Sequence, residues 1–210
     1  MTPAVAFALM LLAAYVCGSV PSAYLAGRLL KGVDLRTVGS GNLGSTNVYR
    51  ELGVWPALVV LLADGAKGGI PAATFPGLFG TPMIDPGWSA LACGAAAILG
   101  HTKPVFLLWK GGGKGVATAA GVFVAVAPAS ALAAIAVFVG TVAATRMVSL
   151  GSIVGALALP VAEVVLHGRT PAFLVAMAIA VLVIALHRDN IGRMLAGTER
   201  KIGRPGRLAR

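Results

Sequence analysis

The chain begins with Met1-Thr-Pro-Ala-Val-Ala-Phe-Ala-Leu-Met-Leu-Leu-Ala-Ala-Tyr-Val16, an apolar run that carries no charged side chain. Such a run is typical of a membrane-spanning helix, which needs about 20 predominantly apolar residues. A cleaved signal peptide normally has basic residues ahead of its apolar part, and here there are none. We therefore expect a retained first helix over residues 3–27.

The rest of the chain shares this apolar character. Of its 210 residues, 58% are hydrophobic and 11% are charged, and the mean hydropathy is +0.88. About a quarter of the residues of an average soluble domain are charged, and a soluble fold of this composition would expose a large apolar surface to water. We therefore expect an all-α polytopic integral membrane protein that forms a single membrane-embedded domain over residues 1–210.

Apolar segments separated by polar turns predict about seven transmembrane helices. Several are shorter than the roughly 20 residues that a perpendicular span needs, so a merger into five or six spans stays open. The predicted helices cover residues 3–27, 54–76, 88–102, 115–128, 130–145, 149–166 and 171–187.

The basic residues are segregated between the two predicted faces of the membrane. The chain has 17 lysines and arginines and a formal net charge of +10, and nearly all of them fall in loops on one side, whereas the opposite loops hold only Arg169. The positive-inside rule makes the basic side cytoplasmic. This places the N-terminus outside and the C-terminus, with a basic tail over about residues 188–210, in the cytoplasm. The charge is explained by the lipid bilayer and requires no nucleic acid.

Metal and disulfide chemistry find little support in the sequence. Cys17 and Cys93 lie inside apolar segments without CxxC spacing, which favours neither a disulfide framework nor a metal site. A metal-dependent phosphotransferase would need a cluster of aspartates, but these residues are scattered, at positions Asp34, Asp64, Asp85 and Asp189. We expect neither a metal nor a cofactor.

A glycine-rich segment, Val38-Gly-Ser-Gly-Asn-Leu-Gly-Ser-Thr-Asn-Val-Tyr-Arg50, follows the first predicted helix. Glycines let backbone N–H groups surround an anion, and the hydroxyl and amide side chains add neutral donors. Arg50 can bind a phosphate through two hydrogen bonds. The segment matches neither a Walker A loop nor a dinucleotide fingerprint. It predicts an anion-binding site without implying a nucleotide, and a plain flexible turn is the alternative.

A second polar segment precedes the fourth predicted helix. Gly111-Gly-Gly-Lys114 places an ammonium group beside a pliable backbone at a helix N-terminus, where free N–H groups favour a bound anion. The alternative is that Lys110 and Lys114 only extend to the membrane interface. His101, upstream of this loop, is either a structural hydrogen-bonding residue or part of the site.

Two further groups of polar residues follow later in the chain. His187, Asn190 and Arg193 are spaced by three residues, so they would share one face if the last helix continues that far. Histidine and asparagine can orient a substrate hydroxyl or phosphate. Ser149 and Ser152 begin the sixth predicted helix, where they either cap it or offer Ser152 to the site.

A pair of opposite charges lies inside the second predicted helix. Asp64 and Lys67 are three residues apart, so they can neutralise each other. Charges inside a membrane are costly and are usually paired or functional. We expect a structural pair.

Together these segments resemble the bacterial acyl-phosphate-dependent glycerol-3-phosphate acyltransferases, the PlsY family. The resemblance covers essentially the whole chain. One extra glycine in the Lys110–Lys114 loop departs from the family pattern. The matching motifs are Gly18–Leu25, Gly39–Asn47 with Arg50, Asp64–Gly68, Gly100-His101, Lys110–Thr118, Ser149–Ser152, and His187–Asn190 with Gly197–Glu199.

The resemblance implies transfer of a fatty acyl group from acyl phosphate to the 1-hydroxyl of sn-glycerol 3-phosphate. The products would be lysophosphatidic acid and phosphate, in phospholipid biosynthesis. It also implies a multi-pass protein of the bacterial inner membrane whose active site faces the cytoplasm. A functional link to a soluble enzyme that forms acyl phosphate would supply the donor.

The resemblance also implies site residues. The catalytic set would be Ser40, Arg50, Lys114 and His187. The proton of the attacking hydroxyl would pass to the phosphate of the donor or to His187, and the sequence leaves both routes open. The donor phosphate would be bound by Ser40, Gly41, Asn42, Thr46 and Asn47, and glycerol 3-phosphate by Arg50, Lys114, Ser152, His187 and Asn190.

Other classes fit less well. The acyltransferases that use a His-x4-Asp dyad are excluded, because Phe106, Ala172 and Gly192 stand where the aspartate would follow each histidine. A transporter of an organic phosphate would place its site near the midplane between internal repeats, and no convincing repeat is present. A membrane-anchoring scaffold would leave the glycine-rich segments unexplained.

Overall fold

The computed structural model describes residues 2–80 and 85–203, and all regular secondary structure in these ranges is helical. Ten α-helices follow one another, with one short 3₁₀ helix, Val105–Leu107, between the fifth and sixth. The predicted all-α class is confirmed. The helices are α1 Pro3–Ser19, α2 Ser22–Lys31, α3 Ser45–Leu52, α4 Val54–Phe79, α5 Pro86–Thr102, α6 Val116–Val126, α7 Pro128–Thr145, α8 Val148–His167, α9 Pro171–Leu186 and α10 Arg188–Leu195.

Five stretches within the described ranges are long and apolar enough to cross a membrane: Pro3–Lys31, Val54–Phe79, Pro86–Leu107, Pro128–Thr145 and Val148–His167. Helices α9 and α10, bent by 58° at their junction, give a sixth if they count as one span. Helix α6 has 11 residues, or roughly 16 Å of rise, which is short of a hydrocarbon core of about 30 Å. All seven predicted segments are helical, whereas their number as spans and their orientation stay predictions.

The first predicted helix is not continuous. Helix α1 ends at Ser19, and α2 begins at Ser22. Pro21 lies between them, and a proline has no N–H to donate to the preceding turn. The interpretation of residues 3–27 as a single helix is therefore wrong in this detail, although the apolar stretch it marked is real.

The chain forms two compact units, one up to Pro128 and one from Ala129. The predicted single domain over residues 1–210 stays a prediction. In the first unit, glycines allow helices to touch through their backbones. A Cβ on Gly121 of α6 would lie 2.0 Å from the carbonyl oxygen of Gly65 in α4. A Cβ on Gly18 of α1 would lie 2.1 Å from that of Ala97 in α5. Small residues of this kind are typical of helix contacts inside membranes.

The second unit contains its own buried polar contact. Glu163 of α8 is 2% exposed, and its carboxylate accepts hydrogen bonds from the hydroxyls of Ser130 in α7 and Thr170 at the start of α9. These bonds link three helices through a buried carboxylate.

Part of the predicted basic tail, residues 204–210, lies outside the described residues.

Candidate functional site

The glycine-rich segment folds as a tight loop followed by helix α3, which the sequence analysis did not predict. Gly39 and Gly41 have φ values of 62° and 70°, a left-handed conformation that glycine adopts without strain. Asn47 is 1% exposed. Its Oδ1 accepts from the N–H of Ser40 at 2.8 Å, and its Nδ2 donates to the carbonyls of Leu35 and Val38. The Asn47 side chain therefore shapes the loop.

These bonds change which groups of the segment can meet an anion. The N–H of Ser40 is used by Asn47, and the N–H of Gly41 donates to the Val38 carbonyl at 3.1 Å. The first N–H groups of α3, at Ser45 and Thr46, have no acceptor within a helix. The N–H groups of the segment that lack a helical acceptor are therefore those of the first turn of α3. The sequence analysis did not single out Ser45, the first residue of α3, and the N-cap position before it is Gly44, which carries no side-chain signal of a helix start.

The other predicted residues of this segment lie close to that turn. Arg50 is in the last turn of α3, four residues after Thr46, so the two side chains share one face of the helix. Both are half-buried, as are Gly41 and Asn42. Ser40 is exposed. The structure thus gathers all the predicted donor-phosphate residues around one short helix.

The triglycine loop lies against the same segment. The N–H of Leu43 donates to the carbonyl of Gly112 over 3.4 Å. Lys114 is half-buried, and α6 begins two residues later, at Val116. This hydrogen bond brings the two segments together within the first unit. Each segment leads into a helix and carries a cation, which is Arg50 in the last turn of α3 and Lys114 two residues before α6.

Arg36 connects the residues after α2 to the start of the triglycine loop. The sequence analysis gave it no role beyond its positive charge. Its guanidinium donates to the Asp34 carboxylate, with 2.7 Å between Nη2 and Oδ2, and to the Lys110 carbonyl at 3.2 Å. It also stacks on the Tyr24 ring, 5.2 Å from the centroid. The hydrogen bond from Arg36 lowers the pKa of Asp34 to about 2. This contact holds the start of the triglycine loop.

In the second unit, Glu199 organises the predicted residues. Its side chain is 5% exposed and accepts from Asn190 Nδ2 at 2.7 Å, from Ser149 Oγ at 2.8 Å and from Arg193 Nε at 2.8 Å. Burial alone would raise the pKa of Glu199, but the hydrogen bonds from Asn190, Ser149 and Arg193 outweigh it and lower the pKa. The Ser149 hydroxyl is therefore used by Glu199. It does not cap α8, whose N-cap residue is Met147.

His187 lies at the junction of α9 and α10, where the chain bends. The last helix therefore does not continue unbroken, but Asn190 and Arg193 still share one face of α10, because both reach Glu199. The His187 ring is 4% exposed, and its Nδ1 lies 2.7 Å from the Val183 carbonyl. Since a carbonyl only accepts, Nδ1 carries a proton and donates to Val183.

Ser152 lies one turn into α8. It is buried, and its hydroxyl donates to the Val148 carbonyl at 2.9 Å, which leaves the oxygen able to accept. The predicted substrate residues of the second unit, Ser152, His187 and Asn190, are therefore each held by a hydrogen bond. Their contact with a substrate stays a prediction.

The predicted pair inside helix α4 is confirmed. Lys67 Nζ lies 2.7 Å from Asp64 Oδ1, and both side chains are buried. His101 of α5 approaches the same carboxylate, with 3.7 Å between Nδ1 and Oδ1. The first unit thus carries a buried group of three ionisable side chains beneath the triglycine loop.

Comparison with known proteins agrees with these observations. The model of the glycerol-3-phosphate acyltransferase family matches residues 8–197. The glycerol-3-phosphate acyltransferase of Parasynechococcus marenigrum (strain WH8102) is 46% identical over 204 residues, covering 97% of this chain and 93% of the relative. That of Geobacter sulfurreducens is 47% identical over 188 residues, covering 90% of this chain and 93% of the relative.

Two solved structures are similar along nearly the whole chain. Both are crystal structures of PlsY, an integral membrane glycerol 3-phosphate acyltransferase. The glycerol 3-phosphate form is 40% identical with a TM-score of 0.83, covering 94% of this chain and 96% of PlsY. The lysophosphatidic acid form is 38% identical with a TM-score of 0.82, covering 94% and 95%. A multi-pass helical chain that matches the family over almost its full length therefore belongs to the glycerol-3-phosphate acyltransferase family.

Proposed function

We propose that this protein transfers a fatty acyl group from acyl phosphate to the 1-hydroxyl of glycerol 3-phosphate. In this reaction the hydroxyl oxygen bonds to the acyl carbon, and the bond from that carbon to the phosphate oxygen breaks. Lysophosphatidic acid and inorganic phosphate are released. The family match supports an acyltransferase, and the forms in which PlsY was solved, with glycerol 3-phosphate and with lysophosphatidic acid, support the acceptor and the product.

The contact between Leu43 and Gly112 carries the proposal. It joins a helix start rich in hydroxyl groups to a glycine loop that ends in Lys114. Preorganised N–H groups and cations of this kind stabilise negative charge that develops on a leaving phosphate. The set suits a donor that is itself a phosphate anhydride. For this donor we assign Ser40, Gly41, Asn42, Thr46 and Asn47, the last through the loop that it shapes.

An acyl phosphate already has a good leaving group, so its acceptor needs little activation. We assign the hydroxyl proton to the departing donor phosphate. We assign His187 to orienting the hydroxyl of glycerol 3-phosphate. By the resemblance to the family, the residues proposed for glycerol 3-phosphate are Arg50, Lys114, Ser152, His187 and Asn190.

We place the reaction at the cytoplasmic face of the bacterial inner membrane. The positive-inside rule supports this orientation, and so does the charge of the acceptor, which is made in water and does not cross a bilayer unaided. The donor would come from a soluble enzyme that forms acyl phosphate.

The test is an assay of the purified protein in detergent. Phosphate release and lysophosphatidic acid are measured with palmitoyl phosphate and glycerol 3-phosphate, with palmitoyl-CoA as the alternative donor. We expect the wild type to use palmitoyl phosphate and not palmitoyl-CoA. We expect almost no turnover in Arg50→Ala or Lys114→Ala. Arg188→Ala is the matched control, because that side chain is 85% exposed. Use of palmitoyl-CoA alone would disprove the donor assignment, and wild-type turnover in either variant would disprove the site.

A further inference from the structure

A buried polar cluster lies beneath the triglycine loop and has no part in the proposed chemistry. We define it as Asp64 and Lys67 of α4 and His101 of α5. Each residue is less than a tenth exposed. The ammonium of Lys67 lies 2.7 Å from Asp64 Oδ1, yet within the described part of the chain this oxygen accepts no directed hydrogen bond. The contact is therefore an ion pair, and the same oxygen faces His101 Nδ1 at 3.7 Å.

On one side the cluster reaches the break between α1 and α2. Lys67 Nζ donates to the carbonyl of Val20 at 3.0 Å. This carbonyl lies between the end of α1 and Pro21, and it also accepts from the N–H of Ser22 at 3.0 Å. The ammonium thus bridges a buried carboxylate and an interrupted helix. A buried charge is tolerated only when it is paired in this way.

On the other side the cluster reaches the triglycine loop. A Cβ on Gly113 would lie 1.9 Å from Nε2 of His101, so the glycine backbone rests directly on the ring. The N–H of Gly113 donates to the His101 carbonyl at 3.2 Å. A Cβ on Gly112 would meet the Thr102 carbonyl at 2.2 Å. The loop therefore cannot approach α5 more closely, and the ring of His101 sets the distance between the loop and this helix.

We propose that Asp64, Lys67 and His101 are positioning residues that hold the triglycine loop, and with it Lys114, in its active geometry. The ion pair attaches α4 to the helix break, its carboxylate orients the imidazole, and the imidazole supports Gly113. None of the three needs to touch a substrate. The claim that Lys114 is needed for activity rests on the proposed function. The claim that the cluster supports the triglycine loop does not.

The competing explanation is that the pair only neutralises two buried charges. The double variant D64L/K67M distinguishes this explanation from the proposal. It removes both charges but keeps similar side-chain shapes, because leucine is branched like aspartate and methionine is as long as lysine. Replacing a buried ion pair by apolar residues of similar volume is often neutral or stabilising. We therefore expect the thermal midpoint in detergent to stay close to that of the wild type. Each single variant leaves one buried charge unpaired and should lower it strongly.

The decisive measurement is the rate of amide hydrogen exchange in the triglycine loop in the absence of substrate. In D64L/K67M we expect the Gly113 amide to exchange at least tenfold faster, and kcat to fall at least tenfold. Glu163→Gln, a change at a buried carboxylate of the second unit, is the control and should leave exchange of the loop unchanged. If D64L/K67M does not fold, D64N/K67M removes the same charges with still smaller changes in shape.

The proposal is overturned if a folded double variant shows wild-type exchange at Gly113. In that case the pair only neutralises charge. The exchange reading does not depend on turnover. A wild-type protein without acyltransferase activity would therefore refute the proposed function and leave the support of the loop to be decided by exchange alone.

Discussion

Replacing Gly113 by alanine tests how tightly the loop is placed. The added Cβ would lie 1.9 Å from Nε2 and 2.4 Å from Cε1 of His101, whereas an ordinary contact is about 3.5 Å. Loop or ring must therefore move by roughly 1.5 Å, since the contact distance allows no less. The ring is buried at 5% exposure and has no solvent to move into, so we expect the loop to shift. The φ of Gly113 lies outside the left-handed region, so alanine adds no backbone strain.

A displacement of about 1 Å in a group that positions a substrate can cost roughly 100-fold in rate. We therefore expect kcat/KM for phosphate release to fall about 100-fold in Gly113→Ala, with a loss of stability of about 1–3 kcal/mol from overpacking. Gly140→Ala is the matched control. A Cβ there meets nothing within 4 Å, and alanine in the middle of α7 should add about 1 kcal/mol of helix stability. A Gly113→Ala protein with wild-type kcat/KM would refute the reasoning.

Two further variants test the site and its surroundings. His187→Ala should raise the KM for glycerol 3-phosphate with little change in kcat, because the ring orients the acceptor; steady-state kinetics showing a large loss of kcat at unchanged KM would instead make His187 the base. Asp34→Asn should lower the thermal midpoint at neutral pH, because Arg36 lowers the pKa of Asp34. The carboxylate stabilises the fold above its ordinary pKa, and this contribution is lost as the pH falls from 3.8 through about 2. The difference between wild type and Asp34→Asn should therefore shrink over that range, and a constant difference would contradict the ion pair.

The helical segments were predictable because hydropathy is a local property. A run such as 171–187 leaves the backbone no partner in lipid but its own helix, and the structure has α9 at Pro171–Leu186. Local patterns predicted the ends less well. The break at Pro21 and the bend at His187 depend on which carbonyls find partners elsewhere, here Lys67 for Val20.

The candidate site divides in the same way. Gly, Ser and Asn in residues 38–50 indicated anion binding, but several of these donors are used inside the loop. Asn47 was predicted to be among the residues that bind the donor phosphate, and its side-chain amide is bonded within the loop to Ser40, Leu35 and Val38. Glu199 had no predicted role, because nothing near it in sequence shows that it would meet Ser149, 50 residues away.

Composition and residue spacing over a few turns were enough to predict the lipid environment of this protein, its helical segments and the polar loops proposed to bind phosphate. Packing between distant segments, in contrast, determines which N–H groups are used inside the glycine-rich loop, that α3 begins at Ser45, and that His101 lies between the buried ion pair and the triglycine loop. These depend on contacts between residues far apart in the chain, and close packing of glycine-lined helices determines those contacts to within an ångström.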